Sequence, residues 1–282
     1  MSIFMEDREL VSIIVPCYNQ AVYLPECLSS VLHQAYTHWE CIIVNDASPD
    51  DTAVVALEWC RKDARFRYVA LSDNKGLAGA RNAGIAQSNG TYILPLDADD
   101  KISPSYLQLA IAVVTANPDV KLVYGRAEYF DGETGPWPLP SYRYGLLFTQ
   151  NPIYCTAMYC KADWVLVGGY TETLKLGLED WDFWLKLLSP ESKVVCLDEV
   201  VFFYRRRQES MISTLTQNEQ VYDVFWETMM KQHLPKWRKW SRVHLRFLLD
   251  DHIDQRAKLQ RIQQNTLARI FYKFSRILAG IK

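Results

Sequence analysis

The sequence has no C-x-x-C pair, and its seven cysteines are scattered and odd in number. A disulfide framework or a zinc ribbon needs cysteines paired at short spacing, so neither fits, whereas a reducing compartment does. No apolar run reaches the ~18 residues that a membrane-spanning helix needs. The first ten residues, MSIFMEDREL, are acidic and lack an apolar core. The expectation is that they are not a signal peptide and that the protein is cytoplasmic. Neither the G-x-x-x-x-G-K-S/T phosphate loop nor the G-x-G-x-x-G dinucleotide turn occurs. The five histidines, His33, His38, His233, His244 and His252, form no ligand cluster and read as surface or packing residues. There is no internal repeat and no low-complexity segment.

What is present is a globular composition. The 282 residues are 49% hydrophobic and 23% charged, which excludes a disordered chain. Nine Trp and sixteen Tyr supply both core material and flat surfaces for rings. The net charge of -2 hides an asymmetry. Lys231 to Lys282 carries thirteen basic residues against three Asp, a balance of +10, and the rest of the chain sums to -12. An acidic body argues against nucleic acid as a partner, while a basic tail suits an anionic surface.

The first hundred residues alternate between two periods. Leu10–Pro16 is an unbroken apolar run, the pattern of a strand buried on both faces. Ala21–Gln34 has helical spacing. His38–Asp46 and Phe66–Ser72 read as further strands, separated by a helix from Asp50 to Arg61. Gly76–Gln87 reads as a helix of small residues, and Gly90–Asp100 as a strand running into acids. Such alternation predicts a parallel sheet with helices on both faces. Helices are then expected over 103–116, 162–167 and 181–188, strands over 120–130, 193–197 and 200–205, a loop over 131–140, and helix after Thr216. Residues 141–160 are aromatic and ambiguous.

Polar clusters follow three of the strands: Cys17-Tyr18-Asn19, Asn45-Asp46 and Asp97 to Asp100. The carboxyl ends of parallel strands are where open α/β sheets bind ligands. Asp97-Ala98-Asp99-Asp100 puts three carboxylates where they repel unless a cation or donors balance them. Mg2+ takes one or two carboxylates and completes its sphere with phosphate oxygens. The ordinary reading is an Asp-rich turn capping the next helix. Asp46 is read either as a turn residue or as an acceptor for the N–H groups of a base. Arg81 is either a solvated helix residue or a cation aimed at a nucleotide.

Five segments taken in order, VSIIVPCYN, VNDASPDDT, NKGLAGARNAGI, LPLDADD and GLEDWDFWLKL, resemble the family 2 glycosyltransferases of GT-A fold. The resemblance covers roughly residues 10 to 215. It implies an α/β fold with a mostly parallel central sheet flanked by helices and followed by a helical C-terminal extension. It also implies inverting transfer of a sugar from a nucleotide diphosphate, most simply UDP, to a glycan or lipid-linked acceptor. Residues 1–215 would form the transferase domain, with a nucleotide-binding half to about residue 100 and an acceptor half over 101–215. Residues 216–282 would form the basic extension. On this resemblance Pro16, Tyr18 and Asn19 line the nucleoside pocket, Tyr18 stacking on the base, and Asp46 binds the base. Lys75, Gly76 and Arg81 border the nucleotide, Asp97 and Ala98 belong to the D-x-D motif, and Asp99 binds Mg2+ or Mn2+ on the diphosphate.

Inverting transfer also needs a base across the sugar from the metal. Asp180, beside Glu179, matches that base in the family's E-D motif, although acids at helix starts are common for structural reasons. Trp181 and Trp184 either pack under the site or face the acceptor. One departure stands out: Arg207 falls where the family segment often carries His. Arg cannot ligate a metal but can fork onto phosphate oxygens; a surface Arg is the ordinary alternative. In the tail, Leu267, Ile270, Phe271, Phe274, Ile277, Leu278 and Ile281 recur at helical spacing with basic residues between them. This suits a helix in the inner face of a membrane, and equally one packed on protein. Two other functions are compatible with the acids: nucleotidyl transfer to a sugar phosphate, which leaves Asp180 without a task, and a non-catalytic nucleotide- or glycan-binding module, which needs no base.

Overall fold

The computed structural model describes residues 9–174 and 177–207, and in the tail 227–229, 231–238, 253–254 and 256–257. Two units emerge, Met1–His233 and Leu234–Lys282. The expected boundary at 215/216 and the apolar tail stripe from Leu267 to Ile281 lie outside the described residues.

The first strand, β1 (Val11–Cys17), and β2 (Trp39–Asn45) are buried along their whole length, as apolar runs without alternation require. Between them α1 (Leu24–Leu32) buries Leu24, Cys27, Leu28 and Val31, one stripe at helical spacing. Next come α2 (Thr52–Lys62), β3 (Phe66–Ala70) and α3 (Gly76–Ala86). The small residues of α3 let it lie directly on the sheet. A Cβ on Gly84 would stand 2.6 Å from Ile14 Cγ2 and 2.8 Å from Val44 Cγ2.

The acidic strand is shorter than its sequence pattern suggests. β4 is Tyr92–Pro95, so Asp97 to Asp100 form the turn that follows it, before β5 (Lys101–Ile102) and α4 (Tyr106–Ala116). The second half has β6 (Val120–Asp131), the two-residue β7 (Gly135–Pro136), a 3-10 turn at Tyr144–Phe148, β8 (Met158–Cys160), α5 (Lys161–Val167), α6 (Glu179–Leu187) and β9 (Lys193–Arg206). The last of these is one strand where the sequence suggests two. Its pairing with β6 shifts register between Leu197 and Val200, which accommodates the polar pair Asp198-Glu199.

The sheet order is β3-β2-β1-β4-β8-β6-β9-β5, with β7 on β6. The strands β1 to β4 pair in parallel, as expected. The second half is mixed, because β8 runs antiparallel to both β4 and β6. Register places Cys17 beside Asn45, and Ile14 beside Pro95. The three polar clusters therefore share one edge of the sheet.

Candidate active site

Arg81 is the hub of that edge. Its side chain is 1% exposed on α3. One terminal nitrogen donates to Asp97 Oδ1 at 2.6 Å, and the other donates to Glu179 Oε1. The Tyr170 ring lies 5.6 Å from the guanidinium carbon. Two negative partners hold the guanidinium charged despite burial. One cation thus ties the turn after β4 to the first turn of α6. Among the described residues, Arg81 Nε and Glu179 Oε2 are buried without a hydrogen-bond partner.

Asp180 follows directly. Its Oδ2 accepts from Asn151 Nδ2 at 3.1 Å, and its Oδ1 from the Trp181 amide at 2.7 Å. Burial, then the neighbouring Glu179 charge, push its pKa up to about 7 from an ordinary 3.8, against the pull of Arg81. The charge on Asp97 adds to the rise, so both acidic segments sense one another. A carboxylate balanced near neutrality suits proton abstraction. Both tryptophans pack beneath: Trp181 Nε1 donates to the Leu147 carbonyl and Trp184 Nε1 to that of Ile153.

On the other side of the acidic turn, Asp99 Oδ2 is 2.5 Å from Arg207 Nη2. Arg205 donates its backbone amide to Asp100 Oδ1 and its Nε to the Asp99 carbonyl, both at 2.8 Å. Burial, then the other acids of the turn, raise the pKa of Asp99 and raise that of Asp100 well above the ordinary range. Asp100 Oδ2 is buried with no partner among the described residues. This excess of negative oxygen, one atom of it orphaned, fits a hard divalent cation. The described residues contain no ready-made set of three His, Cys, Asp or Glu ligands, so most of such an ion's sphere would come from phosphate and water.

The third cluster is organised around Asp46. Its carboxylate oxygens accept the backbone amides of Lys75 at 2.7 Å and Gly76 at 2.9 Å, and burial raises its pKa. Gly76 has φ +75, which a side chain would strain. Asp46 therefore fixes the entry of α3 and, through it, Arg81. Nearby, Pro16 is buried within β1, while Tyr18 is 50% exposed at its end. Asn19 has φ +54, and its amide donates to Ser48 Oγ at 3.0 Å. Ala98 is fully buried under the acidic turn. Two open clefts, of about 610 and 460 Å³, are not lined by Asp97, Asp99 or Asp180, and the second has Lys75 on its wall.

Several site residues escape sequence reasoning. Asn151 lies in the ambiguous aromatic segment. Cys155, whose thiol is 3.5 Å from Asp97 Oδ2, lies there too. Arg205 sits in a basic run whose only signal is its place beside Arg207. His233, read as a surface or packing residue, takes the packing role, buried against Asp182 at 2.7 Å.

Residues 12–171 match the profile of Glycosyl transferase family 2, more than half of the chain, so the protein belongs to that family. Over 280 residues it is 28% identical to the Escherichia coli UDP-Glc:alpha-D-GlcNAc-diphosphoundecaprenol beta-1,3-glucosyltransferase WfgD, covering 98% of this chain and 95% of the relative. Two other curated relatives match over only 28% and 37% of their own length. Among solved structures, S. aureus TarS 1-349 with UDP-GlcNAc superposes with a TM-score of 0.63 at 24% identity, over 72% of this chain and 60% of that one. The mannosyltransferase PcManGT of Pyrobaculum calidifontis, with GDP-Man and Mn2+, gives 0.56 at 21%, over 74% and 60%. The fold is of the GT-A type, a mixed central sheet flanked by helices.

Proposed function

We propose that the protein is an inverting glycosyltransferase that moves a sugar from a nucleotide-diphosphate donor, with UDP as carrier, to a hydroxyl of a glycan or lipid-linked acceptor. The observation that carries this reading is the Arg81 bridge. It joins the strand-end acids to Glu179-Asp180 and so supports a diphosphate turn set beside a carboxylate whose pKa is pushed up to about 7.

In this reading residues 1–100 form most of the donor site. Pro16, Tyr18, Asn19 and Asp46 shape the nucleoside pocket, the exposed Tyr18 ring offering a stacking face. Lys75, Gly76 and Arg81 border the nucleotide. Asp97, Ala98 and Asp99 form the diphosphate turn, with Asp99 holding Mg2+ or Mn2+. That ion supplies Lewis-acid stabilisation of the leaving diphosphate. Arg207 adds a second positive charge there. Residues 101–215 form the acceptor half, in which Asp180 takes the proton of the attacking hydroxyl. A bond forms from that oxygen to the anomeric carbon, the bond to the diphosphate breaks, and attack from the opposite face inverts the centre. Glu179 holds Arg81 and, by its charge, keeps Asp180 basic.

Two relationships support the partners. The WfgD name specifies a UDP-sugar and a diphosphoundecaprenol-linked acceptor. A lipid-linked acceptor lies at a membrane face, and the +10 tail suits the anionic inner leaflet. No helix among the described residues is long and apolar enough to cross a membrane. The test is a thermal-shift panel of UDP-, GDP- and dTDP-sugars with and without Mn2+. A metal-dependent rise in Tm with UDP-sugars is expected, and no shift with any donor would defeat the reading.

A further inference from the structure

The transfer chemistry leaves one buried charged cluster unused. Asp182 is fully buried on α6, two residues past Asp180. Its Oδ1 meets His233 Nε2 at 2.7 Å, and its Oδ2 accepts from Thr171 Oγ1 at 2.7 Å and lies 3.2 Å from Lys186 Nζ. Burial pushes the Asp182 pKa up, but the bonds from His233 and Thr171 outweigh it and leave the carboxylate below its ordinary range. An ionised Asp182 makes His233 Nε2 the donor. Gln232 adds a bond to Thr171 at 2.9 Å.

The cluster sits at the first turn of α6, which has no side-chain cap of its own. The residue before the helix, Leu178, has φ +64 and makes no side-chain capping bond. Glu179 and Asp182 are three apart and share a face of its first turn. Glu179 is held by Arg81 and Asp182 by His233, and Asp180 projects from the turn between them. Thr171 adjoins Tyr170, whose ring stacks on Phe183 of α6 at 4.3 Å and whose backbone is held by Asn82, next to Arg81. The two clamps therefore meet through one short segment.

We propose that His233 is a positioning residue for transfer: through Asp182 it sets the orientation of the first turn of α6 and so of Asp180. The inference rests on Asp180 being the base. It requires that His233 act on turnover and not on donor binding, since none of its partners belongs to the nucleotide pocket.

The experiment uses the full chain with the donor sugar that stabilises it most in the thermal-shift panel, and reads released nucleoside diphosphate. With His233→Ala, kcat is expected to fall about 10- to 100-fold, the loss typical of a small misplacement of a reacting group. Donor KM should stay within about twofold, since the nucleotide contacts are untouched. His233→Gln, which keeps a donor near the Nε2 position, should recover most of kcat. Backbone hydrogen exchange should quicken in 179–187 and 169–172 but not in β1 or β2. If His233→Ala does not fold, Thr171→Val probes the same clamp with the same split. Unchanged kcat in the folded variant at temperatures well below its Tm, or unchanged exchange in 179–187, would overturn the proposal. Asp180→Asn run alongside separates the two ideas. Turnover surviving in that variant removes the base assignment, while its loss together with a normal His233→Ala removes only the clamp.

Discussion

Arg81 and Glu179, 98 positions apart in sequence, form an ion pair in which both side chains are almost fully buried. Removing one partner of a buried pair strands the other charge, which costs about 3–5 kcal/mol. Arg81→Met should therefore lower the unfolding free energy by that amount. Arg81→Met with Glu179→Met should lose less than the two single variants combined, by about 1 kcal/mol or more. Urea denaturation of the four proteins measures the coupling, and strict additivity would show the pair to be energetically idle.

The raised pKa of Asp180 gives two pH signatures. A base must be ionised to act, so kcat should climb about tenfold per pH unit below its pKa of about 7 and level off above it. Stability runs the other way. The folded state binds this proton more tightly than the unfolded chain, so the contribution is full below the ordinary pKa of 3.8 and is lost as pH rises through about 7. Asp180→Asn, which stays neutral, should melt a few degrees above the parent protein at pH 8, with the gap narrowing at pH 5 and closing only below about pH 4. Equal melting temperatures at pH 8 would contradict the pKa.

Gly84 is where α3 rests on the sheet. A methyl there would meet Ile14 and Val44 at under 3 Å. Gly84→Ala should destabilise by about 1–3 kcal/mol as the helix is pushed outward. Because Arg81 rides on the same helix, donor affinity should fall too, which calorimetric titration with a UDP-sugar would read.

The elements legible in the sequence were those set by local physics. Unbroken apolar runs marked β1 and β2, small residues marked α3, and the acids marked the carboxyl end of β4. The Gly76–Asp46 contact is consistent with the motif but not visible in it, because the acid turns its oxygens to backbone amides. Asn151, Thr171 and His233 were not legible as partners: Asn151 lies in the ambiguous aromatic segment, and Thr171 and His233 act through Asp182, a contact that hydropathy does not show. The break at Asp198-Glu199 hid the continuity of β9, since a bulge looks like a turn when only hydropathy is read.

Arg207 occupies the place of a His in the family pattern and pairs with Asp99. If it also meets the diphosphate, Arg207→Ala should weaken UDP binding about tenfold, near 1.4 kcal/mol. Its effect should shrink at high salt, because the residue is partly exposed. Unchanged affinity for UDP would reduce its role to neutralising Asp99.

Donor binding and transfer, both measured in Asp180→Asn, decide whether Asp180 is the base. Loss of a general base predicts a fall in kcat of about 10²- to 10⁴-fold. The donor dissociation constant, read by calorimetry with Mn2+, should remain within about threefold, because the nucleotide contacts lie on other segments. Near-normal turnover in this variant, with the donor still bound, would rule out Asp180 as the base.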